Sequence, residues 1–125
     1  MGRVVDAVQW QVDNFEDVPV LVVACLGGFR FNVLPVVASS YYGSIYPAIQ
    51  NFLLACRAEG LGAALTTLPV WSAWLARRAL GLPFGLLPCA VIPVGWPRGR
   101  YGPNTRRSLK KVVSFDRYGR PGPPQ

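Results

Sequence analysis

Two groups of residues in this chain have types and spacing that could do chemistry. Arg98, Arg100, Arg106 and Arg107 fall in a glycine- and proline-bounded loop. A guanidinium is a planar fork of donors that matches a phosphate. A phosphate monoester takes one or two such groups. Nucleic acid takes several, usually with aromatics between them, and Trp96, Tyr101, Phe115 and Tyr118 do interleave here. A basic run can equally be a solvated surface. The second group runs from Gly60-Leu61-Gly62 to Leu68-Pro69. It places a strand end against a helix start, where backbone N–H groups are free and the helix dipole is positive. A planar redox cofactor does its own electron chemistry, so it asks the protein for a backbone donor and a flat apolar wall. Leu65, Thr66 and Thr67 could supply both; an ordinary turn with Thr67 as the cap is the plain alternative. Tyr41-Tyr42-Gly43 and Tyr46 could line an aromatic substrate pocket, or serve packing or a dimer contact. The sequence has no histidine, and it shows no carboxylate pair or metal-ligand spacing.

Composition bounds what these groups can belong to. A chain of 125 residues is one domain's worth, and 51% apolar content is high for a free-standing domain. That excess suggests a face awaiting a partner. The net charge is 13 − 6 = +7, and all of the excess follows Val94, where eight cations stand against Asp116 alone. Such a patch calls for an anion: a phosphate, an acidic partner or nucleic acid. Buried strands and an amphipathic helix favour no acidic macromolecule, so nucleic acid is the disfavoured member of that set. The uncharged stretch Phe31–Cys56 is interrupted by Pro35, Gly43 and Pro47, so no membrane span is expected. No basic n-region precedes the first apolar stretch, which points to a cytoplasmic protein. Cys25, Cys56 and Cys89 lack CxxC spacing and read as reduced, buried thiols.

The elements that must position these residues follow from periodicity. Residues 1–16 carry Val4, Val5, Val8 and Val12 on one helical side. Val18–Leu26 is apolar on both faces and reads as a central strand, closed by Gly27-Gly28. Residues 29–42 read as an irregular connection. Ser44–Glu59 is the clearest helix: Ser44 as N-cap, Pro47 in the first turn, and Ile45, Ile49, Phe52, Leu53 and Cys56 as the apolar stripe. Gly60 is its left-handed stop. Gly62–Thr67 fits a short strand, Pro69 opens a second helix ending at Gly81, and Pro88–Val94 is another buried strand. Residues 109–118 are a short helix or an extended arm, and 119–125 a disordered tail by composition. The alternation of helix and strand predicts an α+β sandwich, with sheet strands flanked by helices, over residues 1–118.

Taken together, "GSIYPAIQNFLLACRAEGLGAALTTLP" (Gly43–Pro69) and "VIPVGWP" followed by "NTRR" resemble the nitroreductase family. The first matches that family's helix-plus-strand signature, with Gln50-Asn51 and then Gly-Leu-Gly. The second matches its closing strand and phosphate-binding loop, and "VPVLVVACL" its preceding sheet strand. The resemblance covers about Asp13 to Tyr118 and corresponds to the C-terminal half of the family domain. The family's opening Arg-Arg-Ser-Val-Arg-type segment and its Asn-x-Gln-Pro-Trp segment do not occur here. The resemblance implies a nitroreductase-like fold and an FMN-dependent oxidoreductase. Family members are homodimers with FMN at the subunit interface, and they pass hydride from NAD(P)H to nitroaromatics, quinones or similar acceptors. By motif position Leu65, Thr66, Thr67 and Leu68 would face the flavin ring. Asn104 and Arg106 would hold its phosphate, and Lys111–Tyr118 would embrace the partner subunit. The alternative is a non-enzymatic fragment or a binding module that uses the basic C-terminal patch.

Overall fold

A computed structural model describes residues 2–28, 35–103 and 106–122. The chain order is α1 (Gly2–Asp13), β1 (Val20–Gly27), α2 (Pro35–Ala58), β2 (Gly62–Ala63), α3 (Ala73–Leu80) and β3 (Leu86–Gly95), with 3₁₀ turns at Phe15–Asp17, Leu68–Val70 and Leu109–Lys111. The three strands form one antiparallel sheet in the order β1-β3-β2. This is the α+β architecture expected from the alternation of elements.

The sheet is built around β3. Ala90, Ile92 and Val94 alternate onto one face, as a period-two strand requires. There they pack with Ile49 and Cys56 of α2, bordered by Val22, Ala24, Ile45, Phe52 and Leu53. The α2 stripe therefore does what its spacing predicts. Val91 is buried as well, and its neighbour Ile92 points the opposite way, so both faces of β3 are covered; α3 and the Leu68–Val70 turn also pack against this strand. Ile92 is 1% exposed, a burial that contributes about 1.5–3 kcal/mol.

Three expectations about the elements are corrected. The central strand is β3, not β1: among the described residues β1 pairs only with β3 and lies at the sheet edge, with Val20 and Leu21 exposed. The helix expected at Ser44 begins at Pro35 and absorbs most of the supposed connection. Pro35 takes the first helical position, where its missing N–H costs nothing. Pro47 then falls mid-helix, and the carbonyl its ring would crowd belongs to Gly43, four residues back. Ser44 is no cap; its hydroxyl donates to the Ser40 carbonyl at 3.0 Å. Third, Pro69 lies in a 3₁₀ turn and α3 starts only at Ala73, where the Ser72 hydroxyl accepts from the Leu75 amide at 3.4 Å. Gly81, at φ 63°, ends that helix in the left-handed region as expected.

Candidate functional site

The expected ring-facing segment is placed by the end of α2. Gly60 takes φ +78° and lets the chain reverse, so that the Leu61 amide donates to the Cys56 carbonyl at 2.8 Å. The backbone then runs antiparallel to β3. Gly62 and Ala63 pair with Gly95 and Val94, and the Ala64 amide reaches the Pro93 carbonyl at 3.4 Å. Regular pairing lapses there and returns once, where Thr66 and Val91 exchange two backbone hydrogen bonds of 2.9 Å. The strand expected over Gly62–Thr67 is thus a two-residue strand plus an isolated bridge.

Beyond the bridge the segment turns and its groups become available. The Thr66 hydroxyl accepts from the Leu68 amide at 3.4 Å. Thr67 occupies the cap position but makes no side-chain cap bond, so the capping role falls one residue earlier than the plain reading has it. Among the described residues the Thr67 amide has no hydrogen-bond partner. Leu65 and Leu68 stay 39% and 41% exposed beside it. An unspent backbone donor thus sits between two apolar side chains on a turn anchored to the central strand.

The basic loop leaves β3 through Gly95, where an added Cβ would meet the Pro19 ring at 3.2 Å. Arg98 approaches Asp17 at 4.0 Å with both side chains exposed, a contact of little energetic weight. Tyr101 folds back over the end of α2: its hydroxyl donates to the Leu61 carbonyl at 3.2 Å, and the Arg57 guanidinium lies 3.7 Å from its ring centre. Asn104 lies outside the described residues. Arg106 is described and exposed. The Leu65–Leu68 turn is pinned to β3, whereas Arg106 belongs to an arm without regular structure. That arm makes a 3₁₀ turn at Leu109–Lys111 and a tight turn near Asp116, which pairs with Arg120 at 3.4 Å. Tyr41 and Tyr42 lie on α2 rather than on a connection. Tyr42 stacks on Tyr46 with ring centres 6.1 Å apart.

Sequence reasoning missed a cavity of 730 Å³ between α1 and the ends of β2 and β3, lined by Trp10, Gln11, Ala63, Val94, Trp96 and Arg98 among others. None of Leu65–Leu68, Arg106, Tyr41 or Tyr42 lines it. The signal in the sequence is a pair of tryptophans: Trp10, within the residues 1–16 whose valines line one helical side, and Trp96, in the basic loop. The three thiols are free, with Cys56 and Cys89 buried and Cys25 half-buried. Burial raises the pKa of Cys25 and of Cys89; at Cys89 a hydrogen bond from the Leu26 backbone opposes it and the nearby Cys25 adds to it. Cys89 is the extra residue of a bulge between Ala24 and Cys25 in the β1–β3 register. No described helix is long and apolar enough to cross a membrane.

An antiparallel sheet carrying a long helix on one face, with a turn beside its central strand, defines an α+β domain. The model of the nitroreductase family matches residues 3–96, and the chain belongs to that family. Among solved structures it is similar to a protein of Bacteroides thetaiotaomicron VPI-5482 described as an NADH dehydrogenase/NAD(P)H nitroreductase. The two share 27% identity at a TM-score of 0.63, over 78% of this chain and 55% of that one. A protein of Parabacteroides distasonis ATCC 8503 with the same description is 28% identical, with a TM-score of 0.60 and the same two coverages. The chain thus spans little more than half the length of these solved relatives.

Proposed function

We propose that this chain forms the C-terminal half of an FMN-dependent oxidoreductase that takes hydride from NAD(P)H and passes it to nitroaromatics, quinones or similar acceptors. The observation that carries the reading is the Thr67 amide, without a partner among the described residues and flanked by exposed Leu65 and Leu68. A flavin ring suits that arrangement, because it needs a donor beside its reactive edge and an apolar wall under its face. FMN would supply two-electron redox chemistry there. The residues' own share is to bind and orient: the Thr67 amide as donor, Leu65 and Leu68 as wall, and Arg106, with Asn104, on the phosphate. Histidine is not needed for this division of labour, since solvent can supply protons.

The solved relatives named as NAD(P)H nitroreductases support the nicotinamide nucleotide as electron source. Homodimer formation is supported by the apolar side chains that α2 leaves exposed, among them Val37, Tyr42, Tyr46 and Leu54. In a dimer Tyr41 and Tyr42 would border the acceptor pocket, and the arm Lys111–Tyr118 would lie along the partner. The test is a visible spectrum of the purified chain before and after FMN titration. A yellow protein, or a shift of the flavin bands with quenched emission, is the expected result. A colourless chain that leaves FMN unchanged would sink flavin binding by this polypeptide alone.

A further inference from the structure

Tyr101 fastens the basic loop to the end of α2 and the turn that follows it. Tyr101 is bracketed on two sides: the Arg57 guanidinium lies 3.7 Å from its ring centre, and its hydroxyl donates to the Leu61 carbonyl at 3.2 Å. Both partners belong to the end of α2 and the turn that follows it. Gly62, the next residue, leaves room for the hydroxyl: a Cβ there would lie 3.3 Å from the Tyr101 oxygen and 3.4 Å from both the Gly95 carbonyl oxygen and the Pro97 ring. Leu53, Arg57, Leu61, Ala63, Tyr101 and Gly102 enclose a small cavity of 300 Å³ at this junction. The contact therefore joins the basic loop to the strand that leads, three residues on, to Leu65.

We infer that Tyr101 is a positioning residue that clasps the arginine loop to the α2–β2 turn and so holds the loop's cations in register with the Leu65–Leu68 segment. Arg98 and Arg100 precede the clasp by one to three positions, and Arg106 and Arg107 follow it by five or six. The ion pair of Arg98 with Asp17 is too exposed to take its place. The clasp itself stands on contacts within the chain. Its consequence for a phosphate rests on the flavin reading above.

The test uses the full chain and two readouts. Limited trypsin digestion followed by mass spectrometry gives cleavage rates after Arg98, Arg100, Arg106 and Arg107, with Arg77 and Arg78 of α3 as internal reference. Tyr101→Phe keeps the ring and loses the hydrogen bond, so loop cleavage should rise about threefold. Tyr101→Ala loses both contacts, and the rise should be about tenfold, with the α3 sites unchanged. Arg57→Gln should accelerate loop cleavage by itself but add nothing in the Tyr101→Ala background, because the two side chains share one contact. The second readout is FMN affinity by fluorescence quenching, expected to weaken about tenfold in Tyr101→Ala and to be largely kept in Tyr101→Phe. Loop cleavage within twofold of the parent in both Tyr101 variants overturns the clasp, as does equal acceleration at Arg77 and Arg78. In Tyr101→Ala, a loosened loop with unchanged FMN affinity overturns the positioning role. If the parent chain binds no FMN, the flavin reading falls while digestion still decides the clasp.

Discussion

Replacing Leu65 and Leu68 together by alanine tests the apolar wall most directly. The two side chains are 39% and 41% exposed. Burying a whole leucine contributes about 1.5–3 kcal/mol, so covering the remaining two-fifths of each yields roughly 0.6–1.2 kcal/mol. A flavin ring lying on both should lose about 1–2 kcal/mol when both are truncated, which is about 5- to 30-fold in Kd. The assay is FMN fluorescence quenching on the single and double variants. Leu75→Ala, at a 57% exposed position of α3, serves as a surface control that should leave Kd unchanged. Each leucine is also partly buried, so the melting temperature is followed in parallel, and affinities are compared well below it. A double variant that stays folded and binds FMN as tightly as the parent would refute the placement of the ring on this turn.

Other perturbations test the scaffold and its assembly. Ile92→Ala should cost about 2–5 kcal/mol in urea unfolding followed by tryptophan emission, whereas Ile92→Val should cost about 0.5–1.5 kcal/mol; similar small effects from both would contradict β3 as the centre of the core. Gly81→Ala places a Cβ at φ 63° and should destabilise by about 1 kcal/mol through backbone strain alone, since nothing lies within 4 Å of the added atom. Burial raises the thiols of Cys25 and Cys89 above their ordinary value of 9.0, so the folded chain holds protons that the unfolded chain releases. Their stabilising contribution is complete below that value and is lost as pH rises past it. Unfolding free energy should therefore fall from pH 8 to 10, and the fall should shrink in a Cys25→Ala/Cys89→Ala variant. If the chain associates through α2, its melting temperature should rise with protein concentration, and Leu54→Lys should abolish that dependence.

Much of the scaffold was legible because local pattern and burial agree in it. The stripe Ile49, Phe52, Leu53 and Cys56 is read from spacing alone, and it packs where a helix stripe must. Gly60 and Gly81 mark chain reversals at positive φ. The start of α2 was hidden for a physical reason. Ser39, Ser40 and the Tyr41-Tyr42-Gly43 run have modest helix propensity, and Pro47 looks like a first-turn residue. Edge and centre could not be told apart from apolarity, because β1 and β3 are both apolar on both faces and only pairing ranks them. At the site, the turn itself was legible. The swap of capping duty from Thr67 to Thr66 depends on a hydrogen bond across two residues and was not. Neither was the seat of Tyr101 on Arg57, a contact between residues 44 positions apart in sequence.

The exposed apolar surface bears on how such a site could be completed. α2 buries Ile49 and Cys56 against the sheet while leaving Val37, Tyr42, Tyr46 and Leu54 in solvent. Apolar side chains exposed beside Gln50, Asn51 and Arg57 of the same helix suit contact with another surface. β1 adds an eight-residue edge whose Val20 and Leu21 are exposed, and an open apolar edge is a template for another strand. Both faces lie away from the Thr67 turn in sequence, and neither is needed to form it, since that turn hangs on β3 through the Thr66–Val91 bridge. The chain thus separates two tasks. On the flavin reading it would present one wall and one donor of a ring site on a scaffold of its own, with its exposed apolar surface left for a partner. On this reasoning association should strengthen flavin binding without being required to order the turn: FMN affinity should rise with protein concentration, while exchange protection of the Thr66 and Val91 amides stays constant. Loss of that protection on dilution would show that the turn depends on assembly, and would place the donor among the features a partner creates.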